Sequence, residues 1–234
     1  MYHTLLFDLD GTLLELDMRV FVPKYIEALS PHFSSLVEPA LFSEHLLQGV
    51  RAMVLNKNPR MTNEEVFLDH FLQNLEISRD ELMPQLNDFY HNSFCDLAIY
   101  ARQKPLARTI MQQVFSKPCS VVIATNPVFP RAAIMHRLRW AGVNDFSYRL
   151  VTSYEIMHYC KPHPEYYEEI LQVLKVHPRD CLMIGNDTRD DLVAHKAGIK
   201  TFLVHDFLVD RGDQAHHADY EGTLEDLHAF IQKL

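Results

Sequence analysis

Apolar residues gather along this chain in short, nearly unbroken runs that stop abruptly at polar ones. The clearest are 4–9, interrupted only by Asp8 and followed by Asp10-Gly11; 120–124, followed by Thr125-Asn126; and 181–184, followed by Gly185-Asn186-Asp187. A fourth run, 200–204, ends at His205-Asp206, and 148–152 is a weaker fifth. A strand buried on both faces reads as a continuous apolar run, whereas a half-exposed one alternates. These runs therefore predict a parallel sheet covered on both sides. Between them the apolar period lengthens to that of a helix. Residues 131–141 carry Ala133, Ile134, Leu138 and Ala141 with Gly142 as a stop, and 165–176 carry Tyr166, Tyr167, Ile170, Leu171 and Leu174 behind Pro164. Further helices are predicted at 192–197, before Gly198, and at 223–234. Strands alternating with helices at this spacing predict an α/β layer fold, whose reactive groups collect beyond the carboxyl ends of the strands.

The first two runs are separated by residues 10–119, far too many for one crossover. Residues 15–97 contain a single glycine, Gly49, and read as helices at 22–29, 38–55, 63–75 and 80–90, broken by Asn56-Lys57-Asn58 and Pro59. This pattern predicts an all-helical domain, 15–97, inserted into an α/β core formed by 1–14 and 98–234.

Composition narrows the function. The 234 residues include 22 basic and 31 acidic side chains, a net charge of −9, which disfavours general binding to nucleic acid or anionic membranes. The seven glycines are never closer than ten positions, so neither GxGxxG nor a P-loop can be written. Cys95, Cys119, Cys160 and Cys181 form no CxxC pair, consistent with reduced thiols. No secretion signal and no long apolar span is visible, so a cytoplasmic protein without membrane attachment is expected. The 14 histidines include no HExxH, and His216-His217 lies in a polar, loop-like stretch.

The strongest chemical signal is Phe7-Asp8-Leu9-Asp10-Gly11-Thr12 at the end of the first run. Two carboxylates at i, i+2 on an extended chain point the same way, although the turn starting at Asp10 can bend the second aside; placed together, like charges call for a cation between them. A hard divalent ion such as Mg²⁺, bound by carboxylates, carbonyls and water, would supply it. Thr125 and Asn126 follow the second run and could donate to an anionic oxygen. Lys161, in Cys160-Lys161-Pro162-His163-Pro164, could neutralise a carboxylate and a phosphate together. Asp187, Asp190 and Asp191 follow the third run, either favouring a helix N-terminus or completing a metal site with Asp8 and Asp10.

In this order, the DxDGT string, the threonine after a strand, the Lys-Pro and the acidic loop before a helix resemble the haloacid dehalogenase superfamily of hydrolases. The match covers residues 1–14 and about 100–206, with the helical stretch between them like that family's cap. The resemblance implies a Rossmann-like three-layer core and a phosphatase-type member. It makes Asp8 the nucleophile and Asp10 the general acid and base, with Asp10 also reaching Mg²⁺ through its carbonyl. Thr125 would bind the transferring phosphoryl group and Lys161 would balance charge, with Asn126 as a further phosphate contact. Asp187 is expected to ligate Mg²⁺ together with Asp8 and Asp10, because its four-residue interval to Asp191 matches many members. Asn186, which stands where the family commonly has aspartate, is the rival ligand, and Asp191 lies beside the site. Asp10 argues against the dehalogenase branch, since a halide leaves without a proton.

In this family the cap largely selects the substrate, and Arg51, Asn56, Lys57 and Arg60 are candidates to grip an anionic leaving group. A small phosphorylated metabolite is the expected partner, and the chain is expected to be a monomer or homodimer. Phosphomutase activity on the same fold is an alternative. A phospho-aspartate signalling module or a silent binding protein is another, although signalling receivers are about half this length and lack the insert.

Overall fold

The computed structural model describes residues 2–75, 77–212 and 217–234; His216 of the histidine pair lies outside them. In chain order the strands are β1 (Thr4–Phe7), β2 (Leu14–Glu15), β3 (Arg102–Gln103), β4 (Ser120–Ile123), β5 (Leu150–Val151), β6 (Cys181–Gly185), β7 (Lys200–Val204) and β8 (Tyr220–Gly222). The α-helices are α1 (Met18–Leu29), α2 (Pro39–Leu55), α3 (Asn63–Leu75), α4 (Arg79–Asp88), α5 (Pro105–Phe115), α6 (Arg131–Trp140), α7 (Pro164–Leu174) and α8 (Leu224–Gln232). Among the described residues no helix is long and apolar enough to cross a membrane.

Six strands form one parallel sheet in the order β5-β4-β1-β6-β7-β8. Side chains alternate across it, as strand geometry requires. Leu5 and Phe7 join Val121, Ile123, Leu182 and Ile184 on one face, where α5, α6 and α8 add Ile110, Ile134 and Leu227. Leu6 joins Val122 and Met183 on the other, against Tyr166, Ile170 and Leu174 of α7 and Val193 and Ala194 of the following turn. Both faces are thus buried, which is why the strands read as apolar runs. β1 sits at the centre, between β4 and β6. The chain order reverses there, opening a crevice beyond the ends of β1 and β6.

Several elements differ from the sequence reading. Residues 192–197 form a 3₁₀ helix rather than an α-helix, closed by Gly198 in the left-handed region. The helix expected to run to 90 ends at Asp88 and continues as a π turn over Phe89–Ser93. Helix α5 was not anticipated, although Ala107, Ile110, Met111 and Val114 mark a helical face. Strand β8 is exposed at the sheet edge, so no apolar run announces it.

The inserted helices leave and return through an antiparallel pairing of β2 with β3. They do not seal a separate core. Phe21 of α1 lies 6.4 Å from Phe129 and 6.2 Å from Trp140, and Tyr25 meets Phe129 edge-on at 5.3 Å. A polar seam pins the far end: Asn63, fully buried at the start of α3, donates its backbone N–H to the Met157 carbonyl at 2.8 Å and its amide to that of Pro127 at 3.2 Å. Glu64 N–H donates to Tyr154, and the Asn56 amide to His158. Removing a buried donor leaves its acceptor unsatisfied. Asn63→Ala should therefore lower the unfolding free energy in urea by about 1–3 kcal/mol and speed exchange of the Glu64 amide; unchanged stability and exchange would show the seam to be incidental.

Candidate active site

The site lies where strand ends meet the crevice. β1 delivers Asp8, and the turn after it is built on Gly11, whose φ of +92° suits glycine alone; an added Cβ would also strike the Asn186 amide. That turn is held from below by Lys104, whose ammonium donates to the Gly11 carbonyl at 2.7 Å and to that of Thr12 at 3.3 Å. β4 delivers Thr125, whose carbonyl accepts from the hydroxyls of Thr152 at 2.7 Å and Tyr166 at 2.9 Å. β6 delivers Asn186 and the loop to Asp191.

At the centre, the buried Lys161 ammonium lies 2.9 Å from Asp8 Oδ1 and 2.6 Å from Asp191 Oδ1. Burial works against its charge, but Asp191 and Asp8 outweigh burial and hold its pKa well above the usual lysine value. Burial pushes Asp8 up, with Lys161 opposing and Asp10 adding, and pushes Asp191 up to about 7 against Lys161. Asp191 Oδ2 also accepts the Asp187 N–H at 2.9 Å, and its carboxylate packs where a side chain on Gly185 would stand. Asn126 grips Lys161 from behind, its Oδ1 accepting the Lys161 backbone N–H at 3.2 Å.

Asp10 points to a different cation. Its Oδ2 accepts from Nη1 of Arg137, a residue of α6 that is 1% exposed and stacks over the Phe129 ring at 4.5 Å. Asp10 Oδ1 is buried with no hydrogen-bond partner among the described residues. Burial raises the Asp10 pKa, and Arg137 and Lys161 restrain the rise. Sequence reading missed Arg137. Its signal was present, since the position lies on the same helical stripe as Ala133, Ile134 and Leu138, and a charge on a buried face needs a partner.

The two rival residues of the β6 loop separate. Asn186 Oδ1 accepts the Thr12 hydroxyl at 2.9 Å, and that hydroxyl also approaches Asp8 Oδ2 at 3.4 Å. Asp187 Oδ1 instead accepts the N–H groups of Arg189 and Asp190 and the Arg211 guanidinium. The segment after β7 completes this wall, with the Phe207 carbonyl accepting from the Asn186 amide at 2.6 Å. Among the described residues no three His, Cys, Asp or Glu side chains gather as a metal-binding group. Oxygens of Asp8 and Asn186 nonetheless converge on one hydroxyl. That set fits Mg²⁺, which takes one or two carboxylates with neutral oxygens and keeps several waters.

These residues line one pocket of about 850 Å³, whose rim holds eight aspartates against Arg19, Arg137, Lys161 and Arg211. Arg51 is not brought to it. The residue is exposed on α2, and no residue of that helix lines this pocket. Asn56 and Lys57 belong to the seam with the core, Lys57 pairing with Glu165 at 3.4 Å, and Arg60 is exposed.

The sequence pattern of haloacid dehalogenase-like hydrolases matches residues 2–198. The chain belongs to that family. It is 23% identical to the pyrophosphatase PpaX of Oceanobacillus iheyensis over 230 residues, 98% of this chain and 95% of the relative. PpaX of Bacillus cereus is also 23% identical, over 86% of this chain and 82% of its own length. Similar solved structures include a HAD phosphatase from Thermococcus onnurineus, with TM-score 0.57, 20% identity and coverage of 99% and 98%. The L-2-haloacid dehalogenase of Xanthobacter autotrophicus also shares the fold, with TM-score 0.57, 15% identity and full coverage of both chains. The Rossmann-like core and the hydrolase class are thereby established.

The Arg137–Asp10 pair yields a stability test. Breaking a buried ion pair from one side strands the other charge, typically at about 3–5 kcal/mol, whereas removing both is far milder. Arg137→Met should lose about that much in urea unfolding, and Asp10→Asn introduced into it should restore part of the loss. Strictly additive losses would mean the two side chains do not interact.

Proposed function

We propose that this hydrolase is a Mg²⁺-dependent phosphatase that acts on a small phosphate monoester through an aspartyl-phosphate on Asp8. The observation that carries the reading is the buried Lys161 ammonium bridging Asp8 and Asp191 at the strand ends, with Asp10 two residues beyond Asp8. The names of the PpaX and Thermococcus onnurineus relatives lend support. In this reading, residues 15–97 form the cap over a core of 1–14 and 98–234. Mg²⁺ would be held by Asp8, the Asp10 carbonyl and the 186–187 loop. Asn186 is the nearer candidate to Asp8, because Thr12 joins the two. The bound ion would neutralise phosphate charge and so allow an anionic nucleophile to approach.

The chain's own residues supply the rest. Lys161 offsets the charge of Asp8 and of the incoming phosphate, while Thr125 and nearby backbone N–H groups receive the equatorial oxygens. Asp8 attacks phosphorus, and the P–O bond to the leaving group breaks as Asp10 gives that oxygen a proton. Asp10, now a carboxylate, takes a proton from water, which attacks the phosphoryl group and frees Asp8. An elevated pKa suits the first of these duties, and Arg137 keeps the carboxyl aimed. A halide would need no such proton, which separates this reading from the dehalogenases that share the fold.

Phosphate release from p-nitrophenyl phosphate tests the proposal. Asp8→Asn should abolish it, Asp10→Asn should lower it by about 10²–10⁴-fold, and EDTA should stop it until Mg²⁺ is returned. Full activity in an Asp8→Asn protein free of wild-type carry-over and deamidation would end the assignment.

A further inference from the structure

A second cavity, of about 110 Å³, lies between α1, α2, α3 and the loop after β4. Its wall is apolar, with Val22, Ile26, Leu46, Val50 and Met53 prominent, and no charged side chain lines it among the described residues. Its Tyr25 and Tyr90 hydroxyls bond each other at 2.7 Å, and Tyr154 is the third tyrosine of the lining. Met18, Val128 and Phe129 line both this cavity and the catalytic pocket, so the two adjoin. The boundary falls on the leaving-group side. Phe129 carries the Arg137 guanidinium, and Arg137 holds Asp10, the residue that must face the departing oxygen.

An anionic leaving group would be poorly served. Each cation on the pocket rim is already paired: Arg19 with Asp17, Arg137 with Asp10, Lys161 with Asp8 and Asp191, and Arg211 with Asp187. The apolar cavity offers no cation either. A neutral, hydrophobic group entering it would bury apolar surface against a largely apolar wall.

We propose, resting on the phosphatase reading, that this cavity is the leaving-group subsite and that the substrate is a phosphate monoester of a small apolar alcohol. The cavity is smaller than the roughly 150 Å³ that accommodates benzene, which sets the group at about four or five carbons. The inorganic pyrophosphate implied by the names of the PpaX relatives would leave it empty.

Methyl and n-butyl phosphate test this directly, because their alkoxide leaving groups differ little in basicity while three methylenes separate them. Burying those three groups should raise kcat/KM for the butyl ester on the order of fifty-fold over the methyl ester. Val50→Phe and, from the opposite wall, Val22→Phe fill the cavity. Either variant that folds should erase the preference, bringing the butyl-to-methyl ratio of kcat/KM to within about twofold of one. Equal turnover of the two esters by the wild-type enzyme would overturn the subsite and leave the phosphatase intact. A preference that survives both fillings would overturn the location. No hydrolysis of either ester or of p-nitrophenyl phosphate would remove the phosphatase reading, and this inference with it.

Discussion

Lys161 carries an ammonium into the interior and is stable there because Asp8 and Asp191 meet it at 2.9 and 2.6 Å. Each charge taken from water costs several kcal/mol unless its partners are closely placed. That constraint explains much of the surrounding architecture. β1 and β6 must be neighbours to bring Asp8 and the Asp191 loop to one ammonium. Gly185 must lack a side chain so that the Asp191 carboxylate can pack against it. Asn126 and the tyrosine-rich first turn of α7 hold the lysine segment in place. The triad sets two carboxylates against one buried ammonium.

Asp10 is kept apart from this triad by its own cation. Arg137 takes Asp10 to the side where Phe129 stands, and Phe129 is also where the inserted helices reach the core through Phe21 and Tyr25. One aromatic side chain thus links the Arg137–Asp10 pair to the inserted helices. The continuous apolar core across that boundary and the Asn63 seam hold the arrangement together.

Much of this was legible because buried parallel strands write themselves as apolar runs: 4–9, 120–124 and 181–184 correspond to β1, β4 and β6, the three central strands. The polar residues after each run had to lie at the strand ends, and Asp8, Asp10, Thr125, Lys161 and Asp191 do meet in one pocket. What escaped were features set by three-dimensional approach. Arg137 occupies a helical stripe that otherwise reads as core. Asn186 and Asp187 are adjacent, and only the fold decides that one faces Asp8 through Thr12 while the other is tied to Arg211. Arg51 looked like a substrate cation because charge is visible in a sequence, whereas the direction a helix face takes is not. Strand β8 and the 205–211 wall carry too little apolar signal to be seen.

The central claim is that Asp8 is the group that receives phosphorus. The most direct measurement is reductive trapping during turnover: borohydride converts an acyl phosphate at an aspartate to homoserine, and peptide mass mapping locates it. The mechanism predicts homoserine at residue 8 only when Mg²⁺ and a hydrolysed substrate are both present. Homoserine at another aspartate, or none at residue 8 when the same procedure traps a known acyl-phosphate enzyme turning over in parallel, would contradict it.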